Sequence, residues 1–320
     1  FGVAVGFTPF DAFGLLKTPS GAYYLEAKKE CAAADVVSRP AWWLPEGETI
    51  SICKTSASDN MFYFEGGDQH LCNTGASLDD PRCACGPSQL LCIPQDWRFK
   101  LERDFQREPQ ERGLHAYANK KSWTDFIGGN FFYGNRLLYF YYLHAQHHMI
   151  DGQTTPETAL KALRAIPLDS WVEADFPKGD LPRAGVLTSV GFLNQYNTIR
   201  ARVRVLSQVL LCKDVDADLT TDNSPESRTF VNMSFGPENV AHGEQPGCSV
   251  CHYGMDNQAT LMLGYYLDGS VYPPGSQLGR AFSQNGEGPG FLAEAYVKRG
   301  PGFHECMAKT AWTNLTGLSW

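Results

Sequence analysis

Gln245-Pro246-Gly247-Cys248-Ser249-Val250-Cys251-His252-Tyr253-Gly254-Met255-Asp256 contains a Cys-x-x-Cys-His run. That spacing is the attachment signal for c-type haem. One helical turn presents two thiols to the two vinyl groups of a porphyrin, and the imidazole that follows reaches the iron from the same face. The stretch therefore predicts one covalent haem c, attached at Cys248 and Cys251, with His252 as the proximal iron ligand. A redox dithiol usually follows a strand of a thioredoxin-like unit, and a zinc ribbon needs a second close Cys or His pair; neither context surrounds this run. The expected fold is mainly α: a helical, cytochrome c-like haem region joined to a disulfide-rich, loop-rich N-terminal region.

Upstream of the motif, Ile199, Val203, Leu206 and Leu210 recur at helical spacing beside Arg200, Arg202 and Arg204, and Cys212 closes the run. Thr155-Pro156-Glu157-Thr158 sets a capping residue, a proline at the first helical position and an acid in the first turn. It is the clearest helix start in the chain. Leu137 to Leu143 is an apolar run long enough for a buried helix and too short to cross a bilayer. Trp97, Leu101 and Phe105 predict another helix, which Pro109 is expected to stop. Downstream, Gly269 to Gly279 reads as a loop, Phe291 to Val297 as a helix, and Phe303, Met307 and Thr310 as one face of a last helix. Residues 1–96 show no long helical period and read as loops, short helices and a hairpin. Three regions are expected: 1–96, Cys-rich and loop-rich; 97–213, helical; and 214–320, the haem-binding, cytochrome c-like domain.

With 320 residues and 43% hydrophobic content, the chain can bury a full core. A net charge of −8 argues against nucleic acid as a partner. No run of about 18 apolar residues predicts a transmembrane segment. Phe1 to Phe13 lacks a basic n-region, so a signal peptide is expected to have been removed. Ten cysteines less the haem pair leave eight, six of them between residues 31 and 92 among Gly, Pro, Asp and Ser. That pattern is a disulfide framework made in an oxidising compartment, periplasmic or extracellular. The six make a group of three bridges, with Cys212 and Cys306 the candidates for a fourth. A metal cluster at Cys72, Cys83, Cys85 and Cys92 is disfavoured because they do not form regular ligand doublets.

Three separated stretches carry a resemblance: Ser122-Trp123-Thr124-Asp125-Phe126 through Asn135-Arg136-Leu137-Leu138; Pro182 to Thr188 with Arg202 and Leu210-Leu211-Cys212; and His242, Cys248 to His252, Met255-Asp256, Gly288-Pro289 and Phe303-x-x-Cys306. Together they resemble the large secreted mono-haem cytochromes typical of planctomycetes and myxobacteria, over about residues 97 to 320. Asn257 stands where that family usually has Pro, Val203 replaces the Gly after its Arg, and the His-rich Leu143 to Met149 end departs from it. The resemblance implies a covalent haem and secretion; it assigns no substrate.

The sixth iron ligand separates the functional readings. A haem with two protein ligands is more readily an electron carrier, and one with an open position can bind peroxide or small gases. His242, six residues before Cys248, is the first distal candidate, and Met233, Met262 and Met307 are alternatives. Arg202 is the candidate partner for a haem propionate. His144 and His148 lie four apart near His147, as a metal pair on one helical face would. Asp214 to Asp222 lacks the glycine and glutamate of a calcium loop and reads as a solvated acidic linker. The expected function is electron transfer by an exported mono-haem cytochrome, with redox partner proteins that include other cytochromes in a larger assembly. The alternatives are a peroxidase-type haem enzyme and a structural or assembly subunit of a cytochrome complex.

Overall fold

The computed structural model describes residues 14–17, 22–25, 32–53, 62–65, 68–71, 85–90, 92–145, 155–177, 183–213, 224–245, 248–265 and 277–318. Among them are eleven α-helices and only short strands, so the protein is mainly α. No helix of the described residues is long and apolar enough to cross a membrane. The chain divides into two compact units, Phe1–Arg107 with Phe132–Pro177, and Glu108–Phe131 with Lys178–Trp320.

In the first unit, five short strands make a sheet ordered β3-β4-β2-β1-β7: β1 (Gly14–Lys17), β2 (Tyr23–Leu25), β3 (Val36–Pro40), β4 (Thr49–Cys53) and β7 (Ile93–Pro94). A separate hairpin pairs β5 (Phe62–Glu65) with β6 (Asp68–Leu71). The hairpin agrees with the sequence reading and the sheet does not. β1 pairs with β7, far along the chain, through Gly14 opposite Ile93 and Leu15 opposite Pro94. Strands of two to five residues with distant partners carry too little alternation to be read locally.

The Cys85–Cys92 disulfide staples the approach to β7, and Cys53 is disulfide-bonded as well. Cys85 and Cys92 are thereby excluded as metal ligands, which corrects the weaker alternative for that cluster. Trp42, fully buried, donates its indole N–H to the Cys92 carbonyl at 3.0 Å and stacks on Phe140 with ring centroids 4.3 Å apart. The indole thus spends its one polar atom where water cannot reach it.

Helix α1 (Trp97–Ala118) continues past Pro109, contrary to expectation. An interior proline costs about 3 kcal/mol. Anchors on both sides offset that cost. Leu101 and Phe105 are buried on one side of it, and on the other the buried Arg112 donates to the carbonyls of Phe126 at 3.0 Å, Phe131 at 2.6 Å and Gly129 at 2.6 Å. These bonds fold the following segment, including α2 (Trp123–Gly128), back onto the helix. Ser122 and Asp125 form a capping box at the start of α2, and the Ser122 hydroxyl holds the Asp125 carboxyl below its usual range.

Strand β8 (Phe132–Gly134) leads into α3 (Arg136–Ala145), whose Leu137 to Leu143 face is buried as the sequence predicts. Asn135 caps α3 by accepting from the Leu138 N–H at 3.0 Å while donating to the buried Asp104 at 2.8 Å. Helix α4 (Pro156–Ala165) starts at Thr155, whose hydroxyl accepts from the Thr158 N–H, and buries Ala159 and Leu163. β9 (Val172–Ala174) pairs with β8.

The second unit is built on α5 (Val190–Gln195), α6 (Ile199–Leu211), α7 (Pro225–Phe235), α8 (Pro237–Gly243), α9 (Ser249–Ala259), the β10 (Leu278–Ala281) and β11 (Gln284–Glu287) hairpin, α10 (Gly288–Arg299) and α11 (Phe303–Thr316). Its core includes Leu193, Leu206, Leu261, Met262, Leu292 and Tyr296. The Tyr296 hydroxyl shares a hydrogen bond with Ser207 at 3.0 Å, and burial pushes its phenol well up. α2 can approach α10 closely because residue 128 is glycine: a Cβ there would lie 2.3 Å from that of Ala293. α6 ends in a left-handed Cys212 that bridges to Cys306 on α11, with Cα atoms 5.3 Å apart. The pairing left open by the sequence is therefore made.

Candidate haem-attachment site

Cys248 stands at the N-terminal boundary of α9, and the His252 N–H donates to the Cys248 carbonyl at 3.0 Å. The two residues are one helical turn apart, as the attachment chemistry requires. Cys248 is a free thiol, partly buried. Cys251 lies on the same turn, its side chain outside the described residues.

The His252 ring is fixed from behind. Its Nδ1 lies 2.9 Å from Oδ2 of Asp256, four residues on along α9 and only 1% exposed. A carboxylate can only accept, so Nδ1 carries the proton and the lone pair of the neutral ring sits on Nε2. Arg200 of α6 clamps the carboxylate in turn, with Nε 2.5 Å from Oδ1 and Nη2 3.1 Å from Oδ2. Asn239 of α8 accepts a further bond from Arg200 Nη2 at 3.0 Å and is itself held through its amide N–H by the Phe235 carbonyl at 2.7 Å. A buried carboxylate is costly unless paired, and this one has a bidentate guanidinium. Three helices thus converge on one imidazole.

A cavity of about 10 Å³, room for little more than one water molecule, adjoins His252 and is walled by Arg228, Val231, Asn239, Val240 and Gly243. That is smaller than the several hundred Å³ of pockets that bury a large ligand. It does not enclose a haem. What fits is the donor set: a free thiol, an imidazole one turn later, and a carboxylate that leaves Nε2 as the coordinating nitrogen. Metal-bound histidines characteristically give their second ring N–H to such a partner.

The other sequence candidates fall elsewhere. Arg202 is buried, and its guanidinium donates to the carbonyls of Tyr196 at 3.0 Å, Tyr265 at 2.8 Å and Leu193 at 3.5 Å. Burial pulls it down to about 10, still cationic at neutral pH, and these bonds spend it on the backbone of its own unit. Arg200, two residues earlier and therefore on the other side of α6, is the arginine that reaches the site. His242 belongs to α8, next to the cavity-lining Gly243, with its side chain outside the described residues. Met262 is buried in the core, Met307 packs against that core, and Met233 is exposed on α7. His144 ends α3 with its side chain outside the described residues, as His147, His148 and the acidic 214–223 segment lie entirely. Among the described residues no group of three or more His, Cys, Asp or Glu side chains is placed to hold a metal ion.

Arg200 and Asn239 were not singled out in sequence. The one signal was the four-residue spacing of His252 and Asp256, which puts both side chains on the same helical face. Removing the clamp is expected to matter. Arg200→Ala would leave Asp256 buried without its counter-ion, and with Arg200 itself partly solvated we expect a loss of about 1–3 kcal/mol in urea unfolding. Unchanged stability would mean that the carboxylate does not depend on the clamp.

No protein-family model, curated protein or solved structure matches this chain.

Proposed function

We propose that this chain is an exported mono-haem c-type cytochrome that carries electrons, with haem bound through Cys248 and Cys251 and His252 as the proximal ligand. The observation that supports it best is the pairing of the Cys-x-x-Cys-His spacing with an imidazole whose Nδ1 is already committed to Asp256. A haem held there would supply a one-electron couple tuned by axial ligation and burial. The protein's own part is positional. Asp256 fixes the tautomer and ring plane of His252, Arg200 holds Asp256 in place, and Asn239 orients Arg200. Disulfides at Cys85–Cys92 and Cys212–Cys306 suit an oxidising compartment, the same one in which c-type attachment takes place. Its partners would then be redox proteins, other cytochromes among them.

The carboxylate behind His252 also favours a second reading, a peroxidase-type enzyme, because an acceptor on Nδ1 raises the basicity of the ligating nitrogen. Spectra of the reduced protein with and without carbon monoxide separate the two. A low-spin spectrum unmoved by carbon monoxide, with no peroxide turnover, is expected for the carrier. A spectrum that shifts, accompanied by turnover, would replace it with the enzyme. In the carrier, Asp256→Asn is expected to raise the midpoint potential, since a less basic imidazole stabilises the oxidised iron less.

A further inference from the structure

We propose that the groove between the C-terminal end of α1 and the start of α2 binds a small planar aromatic carboxylate. The groove holds about 410 Å³, within the range of small-molecule sites, and the described residues that line it all belong to the segment Gly113–Phe126. It is separate from the His252 site and does not rest on the haem reading.

The floor is apolar. Ala116 is buried, and Gly113 keeps the floor open beneath the Phe126 ring, since a Cβ there would come within 3.3 Å of it. The walls are aromatic and face water: Tyr117 is 87% exposed and Trp123 46% exposed. Trp123 is nevertheless held, with its ring centroid 5.9 Å from that of Phe303 in an edge contact and 6.0 Å from that of Phe126. A fixed, half-exposed indole is a ready stacking surface for a flat ring.

Charge selects the ligand's other end. Lys120 and Lys121 line the groove, Lys121 with its ammonium over the Phe131 ring at 4.3 Å, and among the described residues no carboxylate lines it, in a chain of net charge −8. The nearby Asp125 is spent on Ser122, accepting from its hydroxyl at 2.7 Å and its N–H at 3.1 Å. The placement of Lys120 is an independent observation. The Lys121 N–H bonds the Ala116 carbonyl at 2.9 Å and the Lys120 N–H bonds that of Tyr117 at 3.1 Å, so α1 ends in a Schellman turn with Lys120 at its left-handed position, φ 53°. Glycine is the low-energy residue there, and a lysine costs roughly 1 kcal/mol in backbone strain. The strained cation stands at the mouth of an aromatic groove, where a carboxylate would reach it.

The test is isothermal titration of the full chain with 2-naphthoate at low ionic strength, against the uncharged 2-naphthamide. Saturable binding of 2-naphthoate is expected, with the amide about tenfold weaker for want of a charge-assisted bond. Trp123→Ala is expected to weaken 2-naphthoate by a similar factor. Because Trp123 also packs on Phe303, the deciding variant is Lys120→Gly. It relieves the strained turn, so its melting temperature should hold or rise while 2-naphthoate affinity falls about tenfold. No saturable heat with 2-naphthoate, or equal affinity in wild type and Lys120→Gly, overturns the assignment.

Discussion

Cys248→Ser/Cys251→Ser, produced in a host that attaches c-type haem, is expected to carry no covalent haem at all. In the proposed attachment each thiol would supply one thioether, and with neither the porphyrin would have no bond to the chain. Haem staining on a denaturing gel should fall to background, and the intact mass should lose one haem relative to wild type. His252→Ala keeps both thiols and removes the nitrogen proposed to ligate the iron. It is expected to abolish the wild-type absorption spectrum whether or not attachment proceeds. Far-UV circular dichroism of both variants should match wild type, because Cys248 is not in a disulfide and the His252 imidazole bonds the Asp256 side chain of its own helix. Wild-type haem staining in the double serine variant would place attachment elsewhere in the chain.

The second large effect concerns stability. Cys212 and Cys306 close a loop with a sequence separation of 94 residues, tying the end of α6 to α11. Chain entropy gives such a cross-link about 4–5 kcal/mol, with native-state strain able to subtract from it. Cys212 also sits in a left-handed conformation at the helix end, which a non-glycine residue accepts at a cost of about 1–2 kcal/mol and which the bridge helps to hold. Cys212→Ala/Cys306→Ala is therefore expected to lower the melting temperature by about 10–20 °C in calorimetry. A change of only a degree or two would mean that packing of α6 against α11, not the bridge, holds these helices together.

What the sequence discloses depends on how local each feature is. The Cys248-x-x-Cys251-His252 spacing is legible because it is one helical turn. The capped start of α4 and the buried face of α3 are legible for the same reason: Thr155-Pro156 and Leu137 to Leu143 carry their own instructions. The Cys212–Cys306 pair could be anticipated once the other six cysteines clustered near the N-terminus. The Arg200–Asp256 clamp joins residues 56 apart, and no periodicity says which of Arg200, Arg202 and Arg204 faces α9. Arg202 was the candidate, and the fold turns it inward onto three backbone carbonyls. The sheet of the first unit is not legible because its strands are short and the pairings that join it, β1 with β7 and β2 with β4, link residues far apart in the chain. Pro109 misled for a related reason. Local sterics predict a helix end, and tertiary anchoring by Phe105 and Arg112 overrides them.

The cluster around His252 also explains why Asp256 is worth a buried charge. Breaking a buried pair commonly costs several kcal/mol, whereas an apolar replacement of the whole pair is often neutral, so stability alone does not call for one here. Fixing the tautomer and basicity of an imidazole does call for one. Arg200, Asp256 and His252 come from two helices of one unit, and Asn239 adds a third.

The most direct test is the pyridine haemochrome of the purified full chain after acid-acetone extraction. Covalently held haem stays with the protein, and the account predicts a c-type haemochrome at one haem per chain in the protein fraction. Haem that partitions into the acetone, or a haem-free protein from a host able to attach it, would contradict the account at its centre.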